Sequence, residues 1–231
     1  MHSNIELIEA ADGRSFQAYL SKPARPNGHA VIVLQEIFGV TATIREVADR
    51  YAEQGYLALA PDLFWRIEPG IELEHDKAGV ARAFEYLQRF DELAGIEDIG
   101  RTAAHIRAME GFQGRLAVIG LCLGGKLAYR AAARLPVDVA VAFYGVGIEK
   151  SLDEAGSLQC PLMLHYGGRD RYAPPEAVDL IEAALPAAPR AVLHRYPQAD
   201  HGFYTRGAAQ DADLAHARTQ RFLASALGAD Q

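Results

Sequence analysis

Runs of consecutive apolar residues alternate along the chain with segments in which apolar residues recur at helical spacing. A strand buried on both faces needs a continuous apolar run such as the one that begins at residue 29, and five further stretches with apolar segments follow it. They are predicted as strands at about 29–39, 56–64, 115–122, 139–145, 161–170 and 190–197. Helical spacing predicts helices over 44–51 and at about 72–90, 95–110, 126–135, 174–185 and 208–226.

The alternation of strands with helices predicts an α/β fold, a mostly parallel central sheet with helices on both faces. No repeat and no Pro/Ser-rich linker divides the sequence, so a single domain over 1–231 is expected. Thr43 has capping-box spacing to Glu46 and predicts the start of the first helix, and Gly55 predicts its end.

Composition and charge exclude several classes of function. Half of the residues are hydrophobic and 23% are charged, which predicts a packed globular core. A net charge of −7 with scattered basic residues argues against binding to nucleic acid or to a membrane surface. The N-terminus does not resemble a signal peptide, and no apolar run is long enough to span a bilayer. Two cysteines without a disulfide framework make a reducing cytoplasm the expected location.

The two cysteines, Cys122 and Cys160, form neither a disulfide framework nor a set with zinc-ligand spacing. No metal and no cofactor are expected. Cys160 opens a strand and His165 lies in mid-strand, so both are interpreted as core residues. Trp65 and Arg66 either line a pocket mouth or are a packed tryptophan and a solvated arginine.

Cys122 lies in the stretch GLCLGG, where a predicted strand runs into a predicted helix. This is the strand–nucleophile–helix turn of the α/β-hydrolases, with Cys where Ser is usual. Glycines at such a turn leave room for close packing, and the helix N-terminus favours a thiolate. A buried structural cysteine is the commoner fate of a free thiol, but this context favours a nucleophile.

A nucleophile of this kind predicts an acid and then a histidine later in the chain. Asp170 follows one predicted strand and His201 follows the last, in that order. Open α/β sheets bind ligands at the carboxyl ends of their strands, where both residues are expected. His201 would take and return the thiol proton while Asp170 orients the imidazole. Asp200 is the rival carboxylate.

Glu36 closes an apolar strand and should face the same crevice as Cys122. A buried carboxylate is costly, so Glu36 either reaches solvent or has a partner. A solvated residue at a loop start is the plainer alternative to an acid that keeps the thiol protonated at rest. The backbone N–H groups of Ile37 and Leu123 are the expected halves of an oxyanion hole.

The stretches QEIFGV, GYLALAPDLF, GLCLGG, FYGVGIEK, GGRD and DHGF resemble the dienelactone hydrolase (carboxymethylenebutenolidase) family of α/β-hydrolases. The resemblance runs from about residue 5 to about residue 225. It implies an enzyme of aromatic-compound degradation that hydrolyses a small lactone or ester, of the dienelactone-to-maleylacetate type, through a thioester. It also implies a monomer whose partner is the small-molecule substrate.

The resemblance implies the same roles for the residues already singled out. Cys122, Asp170 and His201 match the family's triad. Glu36 matches the acid that contacts the resting thiol, which substrate displaces so that it takes the thiol proton. Tyr144 and Phe38 match positions near the pocket.

The sequence departs from the family at positions that bind a substrate carboxylate. The family's dienelactone enzymes use two arginines, and Val80 occupies the position of the first, with Arg82 two residues away. Two residues turn a helix by roughly 200°, so Arg82 is a poor substitute for that arginine. The second is matched by Arg206, which follows His201 by five residues instead of four, and Leu87 replaces an aromatic residue.

Three alternatives stay open at this point. A carboxylesterase or lactonase would act on a substrate without a carboxylate. A redox-active thiol would require a resolving cysteine, for which Cys160 is the candidate. A non-catalytic binding module on the same fold is the third, because a fold does not determine a function.

Overall fold

The computed structural model describes residues 2–110, 112–187 and 190–228. They form two compact units, one up to Leu116 and one from Ala117 onward. The single domain over 1–231 stays a prediction. Among the described residues, no helix combines the length and the apolar character that crossing a membrane requires.

The first unit pairs antiparallel and parallel strands in the order β1–β2–β4–β3. The β1–β2 and β2–β4 pairs are antiparallel, and β3–β4 is parallel. Its elements are β1 (His2–Glu9), β2 (Ser15–Lys22), β3 (Ala30–Leu34), α1 (Ala42–Glu53), β4 (Leu57–Pro61), α2 (Lys77–Arg89) and α3 (Glu92–Ala108).

The hairpin of β1 and β2 has no counterpart among the predicted strands. In β2, Phe16, Ala18 and Leu20 are buried while the residues between them are exposed or half-buried. Such a strand alternates along the sequence, because one of its faces meets water. A search for continuous apolar runs therefore overlooks it.

The predicted start of α1 is wrong by two residues. Thr41, in extended conformation, is the N-cap residue, and Thr43 already lies inside the helix, where its backbone geometry excludes capping. The predicted end is confirmed. Gly55 follows the C-cap with φ +97°, a left-handed conformation that glycine adopts without strain.

The second unit is a parallel arrangement in the order β5–β6–β7–β8. Its elements are β5 (Leu116–Leu121), α4 (Leu123–Arg134), β6 (Val139–Phe143), β7 (Leu162–Gly167), α5 (Pro175–Ala184), β8 (Ala191–Tyr196), α6 (Phe203–Arg206) and α7 (Ala209–Leu227). Because these strands are parallel, the segments that follow β5, β7 and β8 lie at one edge. They carry Cys122, Asp170 and His201.

The core interpretation of His165 and Cys160 is confirmed. His165 is fully buried in β7, with Nδ1 2.8 Å from Tyr196 Oη and Nε2 3.1 Å from Thr219 Oγ1. Its ring stacks on Phe143 with the ring centres 4.6 Å apart. Cys160 is buried, and burial raises the pKa of its thiol to about 12.

We expect Gly120→Ala to lower the free energy of unfolding by about 3 kcal/mol or more. A Cβ at Gly120 would overlap the Gly124 carbonyl oxygen, and backbone cannot rotate away as a side chain can. The matched control is Gly156→Ala, where a Cβ meets no atom within 4 Å. Urea unfolding measures both variants, and equal midpoints would contradict the expectation.

Candidate active site

Cys122 occupies a strained turn between β5 and α4. Its φ of 55° and ψ of −113° lie in a region that non-glycine residues rarely adopt. Two hydrogen bonds hold this backbone: Cys122 N–H donates to the Phe143 carbonyl at 3.0 Å, and the Cys122 carbonyl accepts from Lys126 N–H at 3.2 Å. The residue is 8% exposed.

Glycines on both sides of Cys122 let the turn close. A Cβ atom at Gly120 would overlap the Gly124 carbonyl oxygen, so no side chain fits at this position of the strand. A Cβ at Gly125 would lie 2.7 Å from the Phe143 carbonyl oxygen and 2.8 Å from Gly145 Cα. The close approach of α4 to β6 therefore depends on Gly125.

Asp170 and His201 form a hydrogen-bonded pair. His201 Nδ1 lies 2.7 Å from Asp170 Oδ2, and the other carboxylate oxygen accepts from Tyr172 N–H at 2.8 Å and Ala173 N–H at 3.1 Å. Asp170 is 1% exposed, and these donors satisfy the oxygens of its buried carboxyl group. An aspartate at Nδ1 fixes the tautomer and leaves Nε2 available for a proton acceptor's role. Asp200 is exposed.

Two tyrosine rings pack against the His201 imidazole. Tyr144 and Tyr172 each meet it edge-on, both with ring centres 4.9 Å away. Tyr144 is fully buried and has φ 40°, whereas Tyr172 is 37% exposed. The imidazole is therefore oriented by Asp170 and by both rings, and Tyr172 is a neighbour that the sequence analysis did not identify.

Arg206 lies close to His201 at the end of α6. Its guanidinium covers Gly202, where an added Cβ would lie 2.9 Å from Arg206 Cζ. Arg206 Nη1 also donates to Thr205 Oγ1 at 3.1 Å. Gly202 has φ +77°, so glycine meets both the conformational and the spatial requirement at this position.

Glu36 is buried, which excludes the solvated alternative. It is 1% exposed, and its Oε2 lies 3.5 Å from Nε2 of His75. His75 also packs on Phe38, with ring centres 3.9 Å apart. The structure therefore brings Glu36 and Phe38 together through His75, a residue that no sequence motif marks.

The residues around Glu36 are held by polar contacts of Gln35. The fully buried Gln35 side chain accepts from Leu63 N–H at 3.0 Å and donates to the Glu36 carbonyl at 3.3 Å. Ile37, next in the chain, is 8% exposed, and Leu123 is the first residue of α4. The first N–H groups of a helix have no acceptor within it, which keeps Leu123 N–H available.

Comparison with known proteins decides the family. The Dienelactone hydrolase family profile matches residues 16–227. This chain belongs to that family. It is 36% identical over 222 residues to the carboxymethylenebutenolidase of Pseudomonas putida, with 94% of each chain covered. It is 41% identical over 197 residues to that of Pseudomonas sp. strain P51, covering 85% of this chain and 82% of the relative.

Solved structures of dienelactone hydrolases and esterases share the architecture. A crystal structure from Klebsiella pneumoniae subsp. pneumoniae MGH 78578, assigned to the dienelactone hydrolases, has a TM-score of 0.82 and 30% identity. It covers 100% of this chain and 99% of its own. A dienelactone hydrolase-like promiscuous phosphotriesterase, from metagenomic libraries, has a TM-score of 0.78 at 19% identity, which shows the fold alone. It covers 98% of this chain and 99% of its own.

These matches establish an α/β-hydrolase fold with a mostly parallel sheet and helices, and a hydrolase of the dienelactone hydrolase type. Hydrolysis of a lactone or ester is the activity that the family carries. The described residues contain no cluster of three or more His, Cys, Asp or Glu that could hold a metal ion.

Arg82 takes part in a surface network. Its Nη2 lies 3.3 Å from Tyr86 Oη and 4.0 Å from Glu68 Oε2, and Tyr86 Oη also donates to Glu68. The Arg82 side chain is 54% exposed, while Val80 is half-buried on another side of α2. The structure thus places Arg82 and Val80 in different surroundings.

Trp65 is packed, as one of the two alternatives for Trp65 and Arg66 expected. It is 7% exposed, and its indole N–H donates to Asp98 at 2.8 Å. Arg66 is not merely solvated, because it pairs with Asp98 at 2.8 Å and with Asp12 at 2.9 Å. Within the first unit these contacts connect the segment after β4 to α3.

We expect Asp170→Asn to lower kcat for ester hydrolysis by about 10²- to 10⁴-fold, because an amide favours the wrong imidazole tautomer. Asp200→Asn is the matched control and should keep kcat within about twofold, since an exposed carboxylate contributes little to orientation. Steady-state kinetics with an aryl ester checks both variants. A loss in Asp200→Asn as large as that in Asp170→Asn would make Asp200 the orienting acid.

Proposed function

We propose that this hydrolase cleaves a small lactone or ester with the triad Cys122, His201 and Asp170, through a thioester intermediate. The observation that carries the proposal is the Asp170–His201 hydrogen bond of 2.7 Å in the unit that holds Cys122 in a strained turn. A hydrogen-bonded acid–base pair and a sharp strand-to-helix turn for the nucleophile are the two parts that this chemistry needs.

The proposed reaction has two halves. The Cys122 thiol gives up its proton as Sγ attacks the substrate carbonyl carbon, the carbon–oxygen bond of the ester breaks, and the leaving oxygen takes up the proton that the thiol released. Water then attacks the thioester while His201 Nε2 accepts a proton from it, the carbon–sulfur bond breaks, and the His201 imidazolium returns that proton to the departing thiolate. Asp170 stabilises the imidazolium through Nδ1, and the N–H groups of Leu123 and Ile37 are proposed to bind the oxyanion.

Glu36 is proposed to hold the resting Cys122 thiol and to accept its proton when substrate displaces the carboxylate. The support is the family resemblance together with the burial of Glu36, since a carboxylate at 1% exposure requires a specific role or partner. Resting in the thiol form would protect Cys122 against alkylation and oxidation until substrate arrives.

A redox function is disfavoured by Cys160. A resolving cysteine reacts as a thiolate, but burial raises the pKa of the Cys160 thiol to about 12. Both cysteines are free thiols, which supports the proposed cytoplasmic location. The monomeric state is proposed from the family resemblance.

We expect Cys122→Ala to abolish turnover of an aryl ester, with a loss of about 10³-fold or more. Cys160→Ser is the matched control and should retain activity, because Cys160 is a buried core residue with no proposed role in the reaction. Rapid quenching followed by intact-mass analysis should detect an acyl adduct on Cys122 in wild type. Turnover that survives in Cys122→Ala would refute the covalent mechanism.

The substrate is proposed to be a dienelactone, whose carboxylate Arg206 would bind. The support is the packing of the Arg206 guanidinium over Gly202, beside His201. A neutral ester or lactone is the second candidate, favoured by Val80 at the position of a family arginine and by the surface contacts of Arg82. Tyr144, Phe38 and Arg82 are proposed as further pocket residues.

We expect Arg206→Gln to lower kcat/KM for a dienelactone by about 10-fold or more while changing that for a neutral aryl ester by less than about threefold. Arg195→Gln is the control, because Arg195 pairs with Asp179 and Glu182 on another surface. Equal effects of Arg206→Gln on both substrates would favour the neutral-ester candidate.

A further inference from the structure

His75 contacts two of the predicted site residues from one position. Its Nε2 lies 3.5 Å from Glu36 Oε2, and its ring packs on Phe38 at 3.9 Å between centres. The His75 side chain is 31% exposed, whereas that of Glu36 is 2% exposed. The imidazole therefore reaches from solvent to a buried carboxylate.

His75 lies within ion-pair distance of the buried Glu36 carboxylate. A protonated imidazole supplies a positive charge at this distance, and the neutral tautomer with hydrogen on Nε2 supplies a polar N–H group whose nitrogen lies 3.5 Å from Oε2. Either form compensates part of the cost of burying the charge. Either form also restrains the carboxylate, because moving Oε2 away loses the interaction.

The backbone around His75 is fixed on both sides. Before it, Leu73 N–H donates to the Phe38 carbonyl at 2.9 Å, and Glu72 is bridged to Gly39. After it, Asp76 caps α2 by accepting from Gly79 N–H at 2.7 Å. The position of His75 relative to Glu36 thus follows from hydrogen bonds.

We propose that His75 is a positioning residue that holds the Glu36 carboxylate in its resting orientation and so sets how readily the carboxylate is displaced. The inference rests on the role proposed above for Glu36. If Glu36 guards the resting thiol, loosening Glu36 exposes Cys122 to reagents in the absence of substrate.

The test is the rate at which iodoacetamide alkylates Cys122 in the full-length protein without substrate. Peptide mass spectrometry separates Cys122 from Cys160. His75→Phe keeps an aromatic ring against Phe38 and removes the N–H donor. We expect alkylation about 3- to 10-fold faster, which corresponds to the loss of one partly exposed polar contact. His75→Leu is a second variant without a donor and has the same expected result.

Two controls separate positioning from a general effect of replacing histidine. His75→Gln retains an N–H donor and should alkylate within about twofold of wild type. His105→Phe removes the imidazole that lies 3.6 Å from Glu6 in the same unit, and it should also alkylate at the wild-type rate. Thermal unfolding of each variant confirms that the compared proteins are folded.

Glu36→Ala distinguishes the failure of this inference from the failure of the proposed role of Glu36. We expect Glu36→Ala to alkylate faster than wild type, and His75→Phe to add nothing in the Glu36→Ala background. A wild-type rate in His75→Phe with a faster Glu36→Ala would overturn the role of His75 alone. A wild-type rate in Glu36→Ala would overturn the guarding role of Glu36. Additive effects in the double variant would show that His75 acts independently of Glu36.

Discussion

The left-handed backbone at Cys122 is the constraint on which the rest of the second unit depends. A side chain at φ 55° is strained and persists only where the surroundings impose it. Here the Phe143 carbonyl takes the Cys122 N–H, and the lack of side chains at Gly120 and Gly125 lets β5, β6 and α4 close around the turn. The chain leaves β5 and begins α4 at this turn, so the thiol lies at the start of a helix.

Contacts between neighbouring residues hold Asp170 and His201 in place. Asp170 Oδ1 accepts hydrogen bonds from the N–H groups of Tyr172 and Ala173, two and three residues further along the chain. The turn after β7 therefore positions its own carboxylate. The same turn brings Tyr172 to one side of His201, and the residue that follows β6, Tyr144, comes to another. The His201 imidazole is therefore restrained on three sides, by Asp170 and by the two rings.

The apolar runs predicted the parallel strands because a strand buried on both faces is written continuously in the sequence. The β1–β2 hairpin left only an alternating pattern, and the start of α1 depended on Thr41 instead of the better-matched Thr43. Glycine spacing around Cys122 was equally direct, since it records close approaches of the backbone. His75 could not be found in this way, because its contact with Glu36 joins segments 39 residues apart and follows no motif.

The burial of His165 links the stability of the protein in acid to the nucleophile turn. Burial holds the pKa of His165 well below its usual range, and its ring supports Phe143, whose carbonyl binds Cys122 N–H. Below about pH 6.5 the unfolded chain binds a proton at His165 that the native state does not bind. The contribution of buried, neutral His165 to the free energy of unfolding is therefore complete above about pH 6.5. It declines as the pH falls from there toward the lowered pKa. A buried residue beneath the turn that carries Cys122 therefore contributes to the stability that the protein loses in acid.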